Sequence, residues 1–134
     1  MTDAQPTGAP GPGVPGRGVG IEETARLAGL YRWCELQLFQ VTGRRTVTVA
    51  EPAVKRVMGA HASLHAWHAE LWADRLPELR ETGPDRLTRP VDDALARFAE
   101  AVAAPDGPGS TIDTLVGVYR VFVPRMATAY RRHL

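Results

Sequence analysis

From Ile21 onward, apolar residues return every three or four positions, and the pattern is interrupted three times. Over 21–43 (IEETARLAGLYRWCELQLFQVTG), Leu27, Leu30, Tyr31, Cys34, Leu38 and Val41 fall on one stripe of a helix. Glu22 and Glu23 suit the positive end of its dipole, and Gly43 followed by Arg44 and Arg45 reads as its stop. TVTVAEP (46–52) alternates like a strand, but the chain offers no second strand to pair with it, so it reads as a connector. Thr48 and Glu51 have the spacing of a capping box, although a start at Glu51 suits Pro52 better. The second helix is expected from there to Leu76, where Pro77 forces a break.

A loop over 81–90 (ETGPDRLTRP) precedes a third helix, 91–104, whose stripe is Val91, Leu95, Phe98 and Val102. After PDGPGS (105–110), Ile112, Leu115, Val116, Tyr119, Phe122, Val123, Met126 and Tyr130 share one face of a fourth. Pro124 should kink that helix or cost it one hydrogen bond. Four helices with short connections predict an all-α protein, an up-and-down four-helix bundle. Residues 1–20, rich in Gly and Pro with almost nothing to bury, read as a disordered tail ahead of a helical domain over 21–134. The helical period is still running when the chain stops at Leu134, so the domain is expected to be incomplete or to be completed by another chain.

Composition narrows the function classes. The chain has 134 residues and a formal net charge of +1, with acidic and basic residues interleaved. No extended field marks a nucleic-acid or anionic-membrane surface, and neither partner is expected. No run of apolar residues is long enough for a transmembrane helix or a signal-peptide core, so a cytoplasmic location is the default expectation. All of the 16 basic side chains except Lys55 are Arg. With abundant Ala, Gly and Pro, this is the signature of GC-rich coding and points to a bacterial genome before it points to function. The single cysteine, Cys34, excludes an internal disulfide and a Cys-rich zinc site, and its place on the apolar stripe reads as a buried structural thiol. Phosphate-binding glycine loops, GxSxG, HExxH and the dinucleotide fingerprint are all absent.

What remains is the stretch GAHASLHAWHAELWADRLPEL (59–79). His61, His65, His68 and Trp72 are spaced four, three and four, and fall within a ~60° sector of a helix. Val54, Val57 and Leu79 share that sector and Leu64 and Leu71 flank it, while Lys55, Ala62, Ala66, Glu70 and Ala73 lie opposite. The histidines are therefore expected on the packed face. An unpaired buried polar group costs ~1–3 kcal/mol, so each imidazole needs a hydrogen bond or a metal. Histidines three or four apart can reach one ion, and neutral imidazole suits Zn, Fe, Cu or Ni. Glu35 is the best-placed carboxylate, on the first helix beside Thr24, Ala28, Phe39 and Thr42. Glu35, His61, His65 and His68 form the candidate ligand set. The competing reading is a hydrogen-bonded core in which Glu35, Tyr31, Tyr119 and Tyr130 satisfy the imidazoles.

YRWCELQLFQVTG, HASLHAWHAELWADRLPEL and VYRVFVPRMATAYRRHL together resemble an uncharacterised bacterial group of the ferritin-like superfamily, over roughly residues 24–134. The resemblance implies a ferritin-like four-helix bundle, which in many members holds a di-iron or di-manganese site. There, two helices each give a Glu and two give Glu-x-x-His. Glu35 matches a first-helix ligand, whereas His65-Ala-Trp-His68 has His where the motif has Glu, and no second motif appears. The resemblance also implies a longer chain whose continuation carries the other half of the site. Two expectations follow. One is a small ferritin-like protein binding Fe, Mn or Zn, its site completed across a homodimer or by a helical partner. The other is a non-catalytic helical interaction module with structural core histidines.

Overall fold

The computed structural model describes residues 20–77, 82–104 and 110–133, and the regular elements among them are helical. They are α1 (Ile21–Thr48), α2 (Pro52–Ala73), the single turn α3 (Pro84–Leu87) and α4 (Asp93–Ala103). Helix then runs unbroken through α5 (Ser110–Val116), a π-helical stretch (Gly117–Phe122) and α6 (Val123–His133). The tail expected over 1–20 falls, apart from Gly20, outside the described residues, as does Leu79. No helix among the described residues is long and apolar enough to cross a membrane.

α1 continues past Gly43 because that glycine does not adopt the left-handed backbone that would stop it. Instead the Thr42 and Thr46 hydroxyls bond back to the carbonyls of Leu38 (2.7 Å) and Thr42 (3.1 Å). Arg45, 5% exposed, also donates to the Ala104 carbonyl at 3.2 Å, tying the last turn to the end of α4. Thr48 closes α1, so no Thr48–Glu51 capping box forms; Glu51 precedes α2 with Pro52 in its first turn. α2 stops at Ala73, short of Leu76. Its end tightens through Arg75 and Leu76 N–H bonds to Trp72 and Ala73, three residues back, before Pro77. The 81–90 loop contains α3, whose Leu87 backbone lies so close to Gly29 that any side chain there would collide with it. α4 starts at an Asp92 carboxylate that accepts from the Leu95 N–H at 2.8 Å.

The C-terminal helix departs from the expected face. The Val123 N–H bonds the Val118 carbonyl five residues back, so the turn before Pro124 is wider than α-helical. The ring and missing N–H of Pro124 thus fall where the hydrogen-bond register is already shifting. Buried Thr114, Val118, Phe122 and Met126 repeat every four residues, longer than the 3.6 of an α-helix. Ile112 and Val116, expected on the packed face, are 66% and 49% exposed, and Val118 replaces them.

α1 is the element on which the others meet. Cys34, Leu38 and Val41 pack with Ala99 and Val102 of α4 and with Val118, Phe122 and Met126. Phe98 and Phe122 meet edge to face at 5.4 Å. Gly117 permits this approach, since a Cβ there would sit 2.8 Å from Val102 Cγ2. On the other flank α2 runs antiparallel to α1, with Gly59 beside Thr46, His65 beside Glu35 and Trp72 beside Tyr31. The C-terminal helix runs parallel to α2, pairing Tyr119 with His61 and Tyr130 with Trp72.

α2 is rolled relative to the expected orientation. Its buried residues are Met58, Ala62 and Ala69, whereas Val57, Leu64 and Leu71 are exposed. Ala62, expected outside, is 7% exposed. α2 is apolar on two sides, and the small alanines give α1 the closest approach, so that side wins the contact.

Candidate functional site

Glu35 lies in the middle of α1 on the side turned toward α2 and α6, 3% exposed. Burying a lone carboxylate costs several kcal/mol, so donors must surround it. The Tyr130 hydroxyl donates to Glu35 Oε1 at 2.7 Å, and the Trp72 indole N–H donates to that hydroxyl at 3.2 Å. His65 Nδ1 lies 2.6 Å from Oε2, and His68 Nδ1 lies 3.5 Å from Oε1. The spacing of three residues between His65 and His68 is what lets both rings reach one carboxylate. A carboxylate only accepts, so a neutral His65 carries its proton on Nδ1 and keeps Nε2 as the lone-pair nitrogen. Among the described residues, no buried side-chain nitrogen or oxygen is left without a partner.

Burial, and secondarily the Glu35 carboxylate, pushes Tyr130 well above the ordinary phenol range. Its hydroxyl thus stays protonated and remains a donor. Tyr31 closes the cluster without a polar role in it: its ring sits 4.9 Å from both Trp72 and Tyr130. Solvent reaches the cluster along His68, whose side chain is 40% exposed and lies beside the Trp67 ring.

The structure brings together three of the four candidate ligands. One ligand atom each from Glu35, His65 and His68 lies within 4.8 Å of the others. Ligand atoms ~2.0–2.2 Å from one ion sit ~3–3.5 Å apart, so a group spread over as much as 4.8 Å would have to draw together by small side-chain rotations to share one ion. The 2.6 Å His65–Glu35 contact is a hydrogen-bond distance, and an ion would enter by displacing that proton. His61 stands outside the group. Its Nδ1 is 2.7 Å from the Tyr119 hydroxyl, which donates in turn to Met58 Sδ at 3.7 Å. Trp72, on the histidine stripe but outside the candidate ligand set, joins the cluster through its indole N–H. The available signal was its position seven residues after His65.

An apolar groove of about 460 Å³, lined by Leu30, Cys34, Leu95, Phe98, Phe122 and Met126, lies on the other side of α1. It does not include Glu35, His65 or His68, and Tyr31, which lines it too, stands between the groove and the polar cluster. Burial pushes the Cys34 thiol up to about 12, with the nearby Glu35 charge adding to the effect, and it stays protonated at neutral pH. No family model matches the chain, and neither a curated protein nor a solved structure does.

Proposed function

We propose that the protein is a small ferritin-like four-helix bundle that binds a transition-metal ion through Glu35, His65 and His68. The reading is carried by one observation: three ligand atoms of metal-binding type converge within 4.8 Å around a 3%-exposed carboxylate. Two imidazoles and a carboxylate suit Zn, Fe or Mn, and three protein ligands leave a position for water or a further ligand. Tyr130 and Trp72 serve as the outer shell, holding the carboxylate's orientation. The α1–α2–α4–α6 order, with each helix antiparallel to the one before it, supports the up-and-down bundle architecture.

A second reading is favoured by the same cluster's hydrogen bonds. The described buried polar atoms are all satisfied without an ion, as a purely structural core requires. Elemental analysis of protein purified without chelator separates the two, followed by titration of the EDTA-treated protein with Fe²⁺, Mn²⁺ and Zn²⁺. Metal binding is expected at about one ion per chain, with a raised melting temperature, and is expected to vanish in His65→Ala and His68→Ala while the helical signal persists. No stoichiometric metal and an unmoved melting temperature would give the structural reading the field.

A further inference from the structure

The outer face of α2 carries a second apolar stripe that the fold leaves open. Val57, Ala60, Leu64, Trp67 and Leu71 recur at spacings of three and four, the pattern of a coiled-coil seam. Val57, Leu64, Trp67 and Leu71 are 49%, 47%, 52% and 41% exposed. The stripe points away from buried Met58, Ala62 and Ala69, so α2 cannot roll to cover it without exposing those residues. Single exposed apolar residues are ordinary, but an apolar row with four large members along about four turns marks an interaction face.

We propose that a second copy of this chain covers this face, with the two α2 helices antiparallel about a two-fold axis near Leu64. Two features of the sequence along α2 select that partner. First, side-chain size changes along the stripe, from Val57 and Ala60 at one end to Trp67 and Leu71 at the other. Antiparallel pairing sets small against large along the whole seam and keeps it evenly filled. Second, Arg56, Ser63 and Glu70 follow one flank of the stripe at heptad spacing. Antiparallel pairing sets Arg56 of each copy against Glu70 of the other, giving two opposite-charge contacts, with Ser63 near its own counterpart. A single face thereby complements itself in shape and in charge. A seam this short belongs with interfaces below ~1,200 Å², the class of weak and transient contacts, so the dimer dissociates on dilution. No seam residue is a candidate metal ligand, so the inference stands independently of the proposed site.

Sedimentation velocity on the full chain, in EDTA so that no metal bridge can mimic an interface, tests this over a hundredfold range of concentration. The expected result is a monomer–dimer equilibrium that Leu64→Arg abolishes without loss of helical signal. Arg56→Glu and Glu70→Arg each weaken the dimer about five- to tenfold, because each creates two like-charge contacts, and the double variant recovers to within about twofold of the wild type. A monomer at every concentration overturns the proposal and leaves the face to a different partner. A dimer that survives Leu64→Arg places the interface elsewhere. Failure of the double variant to recover overturns the antiparallel register.

Discussion

Cys34 and Glu35 are neighbours in the chain, equally deep at 4% and 3% exposed, yet they enter two different interiors. About 100° of helical rotation separates them. Cys34 faces α4 and the C-terminal helix among Leu38, Val102, Phe122 and Met126. There, burial, with the neighbouring Glu35 charge adding to it, keeps the thiol neutral. Glu35 faces α2 and α6, where Tyr130, His65 and His68 converge on its two oxygens. Depth of burial does not decide what a buried group can do; the supply of partners does. The apolar side holds the helices together, and the polar side gathers the side chains proposed to hold an ion.

The largest effect is expected on the apolar side. Leu38, 1% exposed, should lose about 2–5 kcal/mol of stability as Leu38→Ala in chemical denaturation, because the cavity lies between three helices. The variant should leave metal affinity per folded molecule nearly unchanged; a large loss of affinity would mean that the two interiors are not separable. Next comes Glu35→Ala, expected to cost about 1–3 kcal/mol by stranding the Tyr130 hydroxyl and to abolish metal uptake measured by calorimetry. Glu35→Gln should recover part of the stability and little of the uptake, since an amide can accept the same hydrogen bond without the charge.

Tyr130→Phe removes one donor to the carboxylate and the acceptor of the Trp72 indole, and is expected to cost about 1–2 kcal/mol. Trp72 fluorescence should shift with it, and an unchanged spectrum would contradict the hydrogen-bonded chain. The smallest effect is alkaline. Cys34 and Tyr130 both hold their protons more tightly folded than unfolded, from ordinary values of 9.0 and 10.0. Their contribution is complete below those values and is lost as pH rises, for Cys34 between 9.0 and about 12. The melting temperature should therefore decline above about pH 9, and less steeply in Cys34→Ala. Parallel curves for the two proteins would remove Cys34 from the account.

Much of the chemistry was legible because helices are local. His65 and His68 had to share a face whatever the fold, and Glu35 was the best-placed carboxylate to meet them. Tyr119 and Tyr130 were visible as partners by the same arithmetic, and the structure assigns one to His61 and the other to Glu35. His61 was grouped with the ligands because a wheel assigns angles and not neighbours. Only the parallel neighbour helix decides that Tyr119 meets His61 first.

The sequence by itself determined the helices, their approximate ends and the angular relation of residues within each, since backbone geometry fixes 100° per residue wherever a helix forms. Tertiary structure decided which side of α2 turns inward. Two apolar stripes competed for one contact, and the alanine side allowed α1 closer than Val57 and Leu64 would. It also decided the phase of the last helix, where the wide turn before Pro124 brings Val118 into the core and carries Val116 out of it. Both choices depend on energies between residues far apart in the chain, and periodicity along one helix contains no measure of those.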